Sequence, residues 1–290
     1  MSWLDPPISA VREVVARALA EDLGVFGDLT AGLVAADATV TAAVVARAAG
    51  VLSGRLAAAE AFRSVDPAVT VEWGAADGDR LEAGTVVARV AGPLRSVLGA
   101  ERTTLNLLGH LSGVATLTRC YVDAAGGGCR IRDTRKTTPG LRALEKAAVR
   151  AGGGANHRGS LSDGILVKYN HLAGLTVAAA VAAARSRWPG QTVEVECDDL
   201  YQVDEAIAAG ADLVLVHNMS PAQVGVAVRR VAGRAPVEVS GRVSLDNVAE
   251  YAAAGADLIA VGALTHSAPV LDIGLDLGLG LDLGPGAGGA

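Results

Sequence analysis

The feature that most restricts this chain is a two-beat pattern after residue 129: a short apolar run, then a helix-periodic stretch, at a pitch of about 20 to 25 residues. After RIRDT (130–134), apolar runs fall at 165–168 (ILVK), 193–197 (VEVEC), 213–217 (LVLVH), 237–240 (VEVS) and 258–262 (LIAVG). Even the approach to two of them repeats, since AIAAGADLVLV (206–216) mirrors YAAAGADLIAV (251–261). Continuous apolar strands alternating with helices predict an α/β fold with a parallel sheet closed into a β/α barrel. An open doubly wound sheet is the alternative, but no GxGxxG follows any of these runs.

The first 128 residues read differently. Residues 9–22 (SAVREVVARALAED) have helical apolar spacing, and GDLT (27–30) follows as a turn and helix cap. Short strands are expected near 40–48, 69–73 and 86–91, divided by Gly50, Gly54, Asp77-Gly78-Asp79 and Gly84, which makes a small α+β layer. A long helical region runs from Leu94 to Ala125, with a break expected between Gly109 and Gly113. After Leu277 the chain turns Gly-rich, and its final residues are expected to be disordered. With 290 residues, a barrel and a smaller partner can each bury a core.

Composition narrows the function. Aromatic residues make up 3% of the chain against 51% apolar residues in all, so the core must pack small side chains closely. Cys120, Cys129 and Cys197 are odd in number and contain no CxxC pair, which argues against a disulfide framework or zinc ribbon and suggests a reducing cytoplasm. Charged residues interrupt the first apolar segment, and the most apolar helical stretch, about 175–184, is too short for a bilayer, so no export or membrane role is expected. A net charge of −6 disfavours nucleic-acid binding. Yet nine Lys or Arg against three acids lie between Arg130 and Lys168, a local excess of six positive charges. Arg142, Lys146 and Arg150 can be read as a solvated basic helix face, but Arg135, Lys136, Arg158 and Lys168 sit where strands should end.

In such barrels chemistry lies at the carboxyl ends of the strands. Those ends carry Arg135-Lys136, Lys168, Glu196, His217-Asn218, Ser240-Gly241 and Gly262-Ala263. Arg135, Lys136, His157, Arg158 and Lys168 supply enough donors for a dianion, and Arg grips carboxylates with paired bonds. Small residues after the last two strands admit a phosphate to backbone N–H groups. Glu196 could hold Mg²⁺ or ribose hydroxyls, or form a structural salt bridge. A histidine-bound metal hydrolase finds no HxH or HExxH here.

At these residues the chain resembles the quinolinate phosphoribosyltransferases. The resemblance rests on DTRKTTPGLRALEKAAVRAGGGANHR (133–158), LSDGILVKYNH (161–171), LAEDLG and GDLT near the start, ERTTLNLLGHLSG (101–113), VEVE (193–196) and VGALTHSAPVLDIGLDL (261–277). It implies an incomplete β/α barrel (113–266) with an N-terminal α+β open-sandwich domain (1–112) joined by the C-terminal segment (267–290). It also implies a homodimer with shared active sites, small-molecule substrates, and conversion of quinolinate and phosphoribosyl pyrophosphate (PRPP), with Mg²⁺, to nicotinate mononucleotide, CO₂ and pyrophosphate. By the same resemblance Arg102 of one subunit, with Arg135, His157, Arg158 and Lys168, would hold the dicarboxylate, and Lys136 would lie close enough to serve both the acid and the sugar phosphate. Lys136, Lys168 and Glu196 would be catalytic, and Glu196 would also meet ribose and metal. His217 would stand on the ribose side, and Ser240, Gly241, Gly262 and His266 would line the 5′-phosphate end.

Three departures stand out. His217-Asn218 replaces the family's usual Asp-Asn, Tyr169 replaces an Asp after the substrate lysine, and EVSGR (238–242) lacks a second Ser and second Gly. They leave open a paralogue acting on another aza-aromatic acid, or a non-catalytic homologue.

Overall fold

The computed structural model describes residues 3–172, 174–278 and 281–282, without the side chains of Tyr169, Leu281 and Asp282. The expectations for Tyr169 and the final tail therefore fall outside the described residues. Two compact units emerge: Met1–Leu117 with Thr138–Gly153 and Ser267–Ala290, and Thr118–Thr137 with Gly154–His266.

The first unit opens on α1 (Ile8–Leu23), whose Val11, Val14, Val15 and Leu19 form the buried stripe that the periodicity predicts. Behind it come β1 (Thr39–Ala46), β2 (Gly50–Val51), α2 (Arg55–Val65), β3 (Thr70–Trp73), β4 (Arg80–Leu81), β5 (Val86–Pro93), α3 (Leu94–Ala125) and α4 (Arg142–Ala151). The main sheet is antiparallel in the order β12–β1–β5–β3, closed on one side by β12 (Ile273–Asp276) and β13 (Leu281–Asp282), both paired with β1. Val40, Ala42, Val44, Phe62, Val87, Val90, Leu108 and Ile273 build its core from mostly small side chains. At GDLT the cap comes from Asp28 rather than Thr30: its Oδ1 accepts the Ala31 N–H at 2.9 Å.

Two expectations fail in this unit. α3 is continuous through Gly109 and Gly113. The glycines are there for close approach: a Cβ on Gly113 would lie 2.0 Å from the Pro269 carbonyl oxygen, and one on Gly109 2.9 Å from that of Leu271. Leu271 N–H donates to the Gly109 carbonyl at 3.0 Å, so the C-terminal segment runs against backbone where a side chain would bar it. Nor is α4 a solvated basic face. Lys146 is buried, and Arg150 donates to the carbonyls of Trp3, Leu4 and Asp5, tying down the start of the chain through its fixed fork of donors.

The second unit is the parallel sheet of β6 (Arg130–Arg132), β7 (Ile165–Val167), β8 (Val193–Cys197), β9 (Leu213–His217), β10 (Val237–Ser240) and β11 (Leu258–Ala260), in the order β6–β11–β10–β9–β8–β7. Between them run α5 (Tyr169–Leu172), α6 (Val177–Arg187), α7 (Leu200–Ala208), α8 (Pro221–Val231) and α9 (Val248–Ala253), with α10 (Ala263–His266) after β11. Among the described residues β6 and β7 do not pair, so the barrel is incomplete rather than closed. On the outer side of β6 a single residue stands in for a strand: Ala155 N–H donates to the Ile131 carbonyl at 2.8 Å, and its own carbonyl accepts the Asp133 N–H at 3.2 Å.

The repeated AAGAD explains itself here. Gly210 and Gly255, at φ 77° and 94°, take the left-handed turn after a helix. The following Asp then pins the neighbouring strand's start: Asp212 Oδ2 accepts the Val193 N–H and Asp257 Oδ2 the Val237 N–H, each at 2.8 Å.

Candidate functional site

Because side chains alternate along a strand, the inward residues of β8 are Glu194 and Glu196, and those of β10 are Glu238 and Ser240. At the carboxyl ends of the strands Glu196 and Ser240, the outer member of each pair, bound a cavity of about 340 Å³. Arg135, Lys136, His157, Arg158 and Lys168 line it together with Glu196, His217 and Ser240, and Thr134, Leu166, Leu215 and Ala260 complete the wall. Gly262 and His266 stand beside Lys136: a Cβ on Gly262 would lie 3.1 Å from both Lys136 Cδ and His266 Nε2. Gly241, at φ 88°, adjoins His217 and Asn218. Arg102 stands exposed on α3 in the first unit. A larger cavity of about 700 Å³ along β7 and α6 shares Arg158 and Leu166 but is walled mainly by Ala180, Ala183, Leu175, Trp188 and similar apolar groups. Convergent charge favours the smaller one for chemistry.

Local tethers place the cations. Asp133, fully buried just past β6, accepts the His157 N–H at 2.8 Å on one oxygen and the Asn156 side-chain amide at 2.6 Å on the other, which brings 156–158 to the strand ends. Thr265 Oγ1 donates to the Lys136 carbonyl at 2.8 Å. His157 turns both ring nitrogens to the protein: Nδ1 accepts the Arg158 N–H at 2.8 Å, and Nε2 lies 3.0 Å from Glu194. Its Nε2–H therefore serves Glu194, and its Nδ1 steadies the Arg158 backbone. Burial, then the nearby charge of Arg135, holds the Arg158 guanidinium below its usual range, a repulsion that an incoming anion relieves. Lys168 forms an ion pair with Glu196.

Beneath the cavity lies a layer that strand-end reading missed. Glu194 and Glu238 are buried with His157 between them, and Arg132 is bonded to Glu238. Burial, then Glu194, pushes the Glu238 carboxyl up to about 7, against the pull of Arg132 and His157. One atom each from His157, Glu194 and Glu238 fall within 4.8 Å of one another, and the Oε1 atoms of both glutamates lack hydrogen-bond partners, so this trio could hold a divalent cation. Mg²⁺ prefers oxygen donors shared with a phosphate, and Glu196, whose Oε2 is bonded to Lys168, is the carboxylate among the residues that line the cavity itself. Asp133 and Asp198 were also missed. Both lie past strand ends, and the inward-outward alternation does not reach them.

An incomplete β/α barrel with four cations gathered at its strand ends is a protein built to take a polyanionic small molecule. Two family descriptions match: "Quinolinate phosphoribosyl transferase, N-terminal domain" over residues 28–112 and "Quinolinate phosphoribosyl transferase, C-terminal domain" over 114–276. The nicotinate-nucleotide pyrophosphorylase [carboxylating] of Mycobacterium leprae is 46% identical over 282 residues, covering 94% of this chain and 99% of its own. The probable enzyme of the same name from Bacillus subtilis is 40% identical, covering 89% of this chain and 90% of its own. NadC from Streptococcus pyogenes superposes with a TM-score of 0.91 at 38% identity, over 96% of this chain and 98% of that one. The chain belongs to the quinolinate phosphoribosyltransferase family.

Proposed function

We propose that this protein joins quinolinate to the ribose of PRPP, releasing pyrophosphate and CO₂ and leaving nicotinate mononucleotide. The observation that carries the reading is the convergence of Arg135, Lys136, Arg158 and Lys168 on one cavity, facing Glu196. Two carboxylates on one small ring match that charge, and paired Arg donors orient them. As pyrophosphate departs from ribose C1, taking the bonding electrons, the ring nitrogen supplies the pair for the new bond. Lys136 and its neighbours screen the charge that builds on the leaving group. Loss of CO₂ then leaves an electron pair on the carbon next to the pyridinium nitrogen, which a proton completes. Lys168 must give up part of its bond to Glu196 as it takes a substrate carboxylate. That exchange frees Glu196 for the ribose and for Mg²⁺, which would supply further charge neutralisation when bound. Ser240, Gly241, Gly262 and His266 would receive the 5′-phosphate.

His217, which lines the cavity with Glu196, is placed on the ribose side in this reading, and the cations for the acid are present. The decisive assay incubates the purified protein with Mg²⁺, PRPP and quinolinate and follows mononucleotide and CO₂. Turnover of other pyridine acids but not quinolinate overturns the assignment.

The site is completed in a homodimer, with Arg102 of one subunit serving the other's cavity. Inactive Arg102→Ala and Lys168→Ala proteins, mixed and allowed to exchange subunits, should then regain about a quarter of the wild-type activity, one sound site per mixed dimer. No regain overturns the shared site. The free thiols of Cys120, Cys129 and Cys197 suit work in a reducing cytoplasm. Among the described residues no helix is long and apolar enough to cross a membrane.

A further inference from the structure

Glu196, next to last in β8, and His217, last in β9, lie on neighbouring strands, and the residue two places beyond Glu196 reaches His217. Asp198 Oδ1 lies 3.1 Å from His217 Nδ1, which the ring proton bridges; the Asn218 side-chain nitrogen, itself a donor, lies 3.3 Å from the same atom and makes no bond to it in that tautomer. The opposite edge of the ring is closed too: Cδ2 faces Gly241, where a Cβ would come within 3.1 Å of it. Asn218 is itself fixed, at φ 57°, with its N–H donating to the Ser240 carbonyl at 2.9 Å. Asp198 is steadied in turn, its N–H donating to Gln202 Oε1 at 2.6 Å. The imidazole is thus held at Nδ1 and along Cδ2, which leaves Nε2 for the cavity that His217 lines.

We propose that Asp198 is a positioning residue: it accepts the Nδ1–H of His217 and so presents Nε2 to a hydroxyl of the PRPP ribose beside Glu196. This rests on the function proposed above. A hydroxyl both donates and accepts, so Nε2 can bond it in either protonation state. The acid that this chain lacks at position 217 is thereby moved outward to 198, and the imidazole bridges the distance to the sugar. Asp198 is about half exposed, and such a pair adds little to folding stability, so its effect is one of aim.

The test compares wild type with Asp198→Asn, using kinetics and ¹⁵N-histidine NMR titrated with ribose 5-phosphate. The His217 signals are assigned by their loss in His217→Gln. In wild type the sugar phosphate should shift the His217 Nε2 resonance, and in Asp198→Asn that shift should vanish. KM for PRPP should rise about 10-fold, as is usual when the support of a site imidazole is removed, while kcat and the KM for quinolinate stay within about 2-fold. Asp198→Glu should recover most of the loss. An unchanged KM for PRPP, or equal losses toward both substrates, overturns the proposal. If wild type turns over no quinolinate, the reaction proposed above fails separately. The ribose 5-phosphate titration still decides: a shift that depends on Asp198 supports the positioning role, and no shift overturns it.

Discussion

The starts and the ends of the barrel strands solve opposite problems. At the starts, two copies of AAGAD put the left-handed turn on glycine, at Gly210 and Gly255, and place a carboxylate on the first N–H of the preceding, neighbouring strand. At the ends, β9 and β10 are followed by Asn218 and Arg242, both at φ 57°, where glycine would be relaxed. Like charges also crowd there, as Arg158 and Arg135 do. The starts repeat because they only hold the sheet together. The ends differ one by one because each faces a different part of a ligand, and strain and repulsion are tolerated where a ligand relieves them.

The largest effect should come from the ends. Lys168→Ala should lower kcat/KM by about 10²- to 10³-fold while the melting temperature stays nearly constant, read by initial rates beside a thermal scan. Unfolding with lost activity would break the division. At the starts the pattern should invert. Asp257→Ala, which strips the Val237 N–H of its acceptor, should cost about 1.5–3 kcal/mol in denaturant unfolding and leave kcat within about 2-fold.

Asp212 sharpens the same point through pH. Partial burial works to raise its carboxyl, but the Val193 N–H and Arg185 outweigh it and hold it below the ordinary range. A lowered folded-state value means that its contribution is full above the unfolded Asp value, near 3.8, and is lost as pH falls through the folded one. Wild-type stability should therefore decline more steeply with acid below about pH 4 than that of Asp212→Ala, as acid titration by circular dichroism would show. The smallest effect is Arg242→Gly: relief of the left-handed backbone should raise stability by about 1 kcal/mol, with a modest rise in KM for PRPP from the lost charge.

Much of this was written in the sequence, unevenly. Strand runs, helix α1 and the cationic residues of the cavity were legible because periodicity and strand-end position report directly on local geometry. Gly109 and Gly113 looked like a helix break because their reason, the passage of Pro269 to Leu271, lies far along the chain. Arg150 looked solvated because its acceptors are backbone carbonyls, which no side-chain pattern records. The runs count strands but cannot say whether β6 and β7 pair, so the incomplete barrel was legible only through the family resemblance; the outer side of β6 bridges Ala155 instead. Asp133 and Asp198 acquire their partners only through tertiary placement, past the point where alternation assigns a face.

The pairing of β1 with β12 ties the first unit's folding to the schedule of translation. Val44 and Leu275 are ladder partners, yet nearly the whole chain is made between them. At ~5–20 residues per second, β1 therefore leaves the ribosome roughly tens of seconds before its neighbour exists. During that interval one flank of β1 is an open edge, able to recruit a strand from another nascent chain. The stretch from Ile273 onward is thus what closes a sheet begun long before it, and a ribosome that stops short of Ile273 releases a protein with that edge bare.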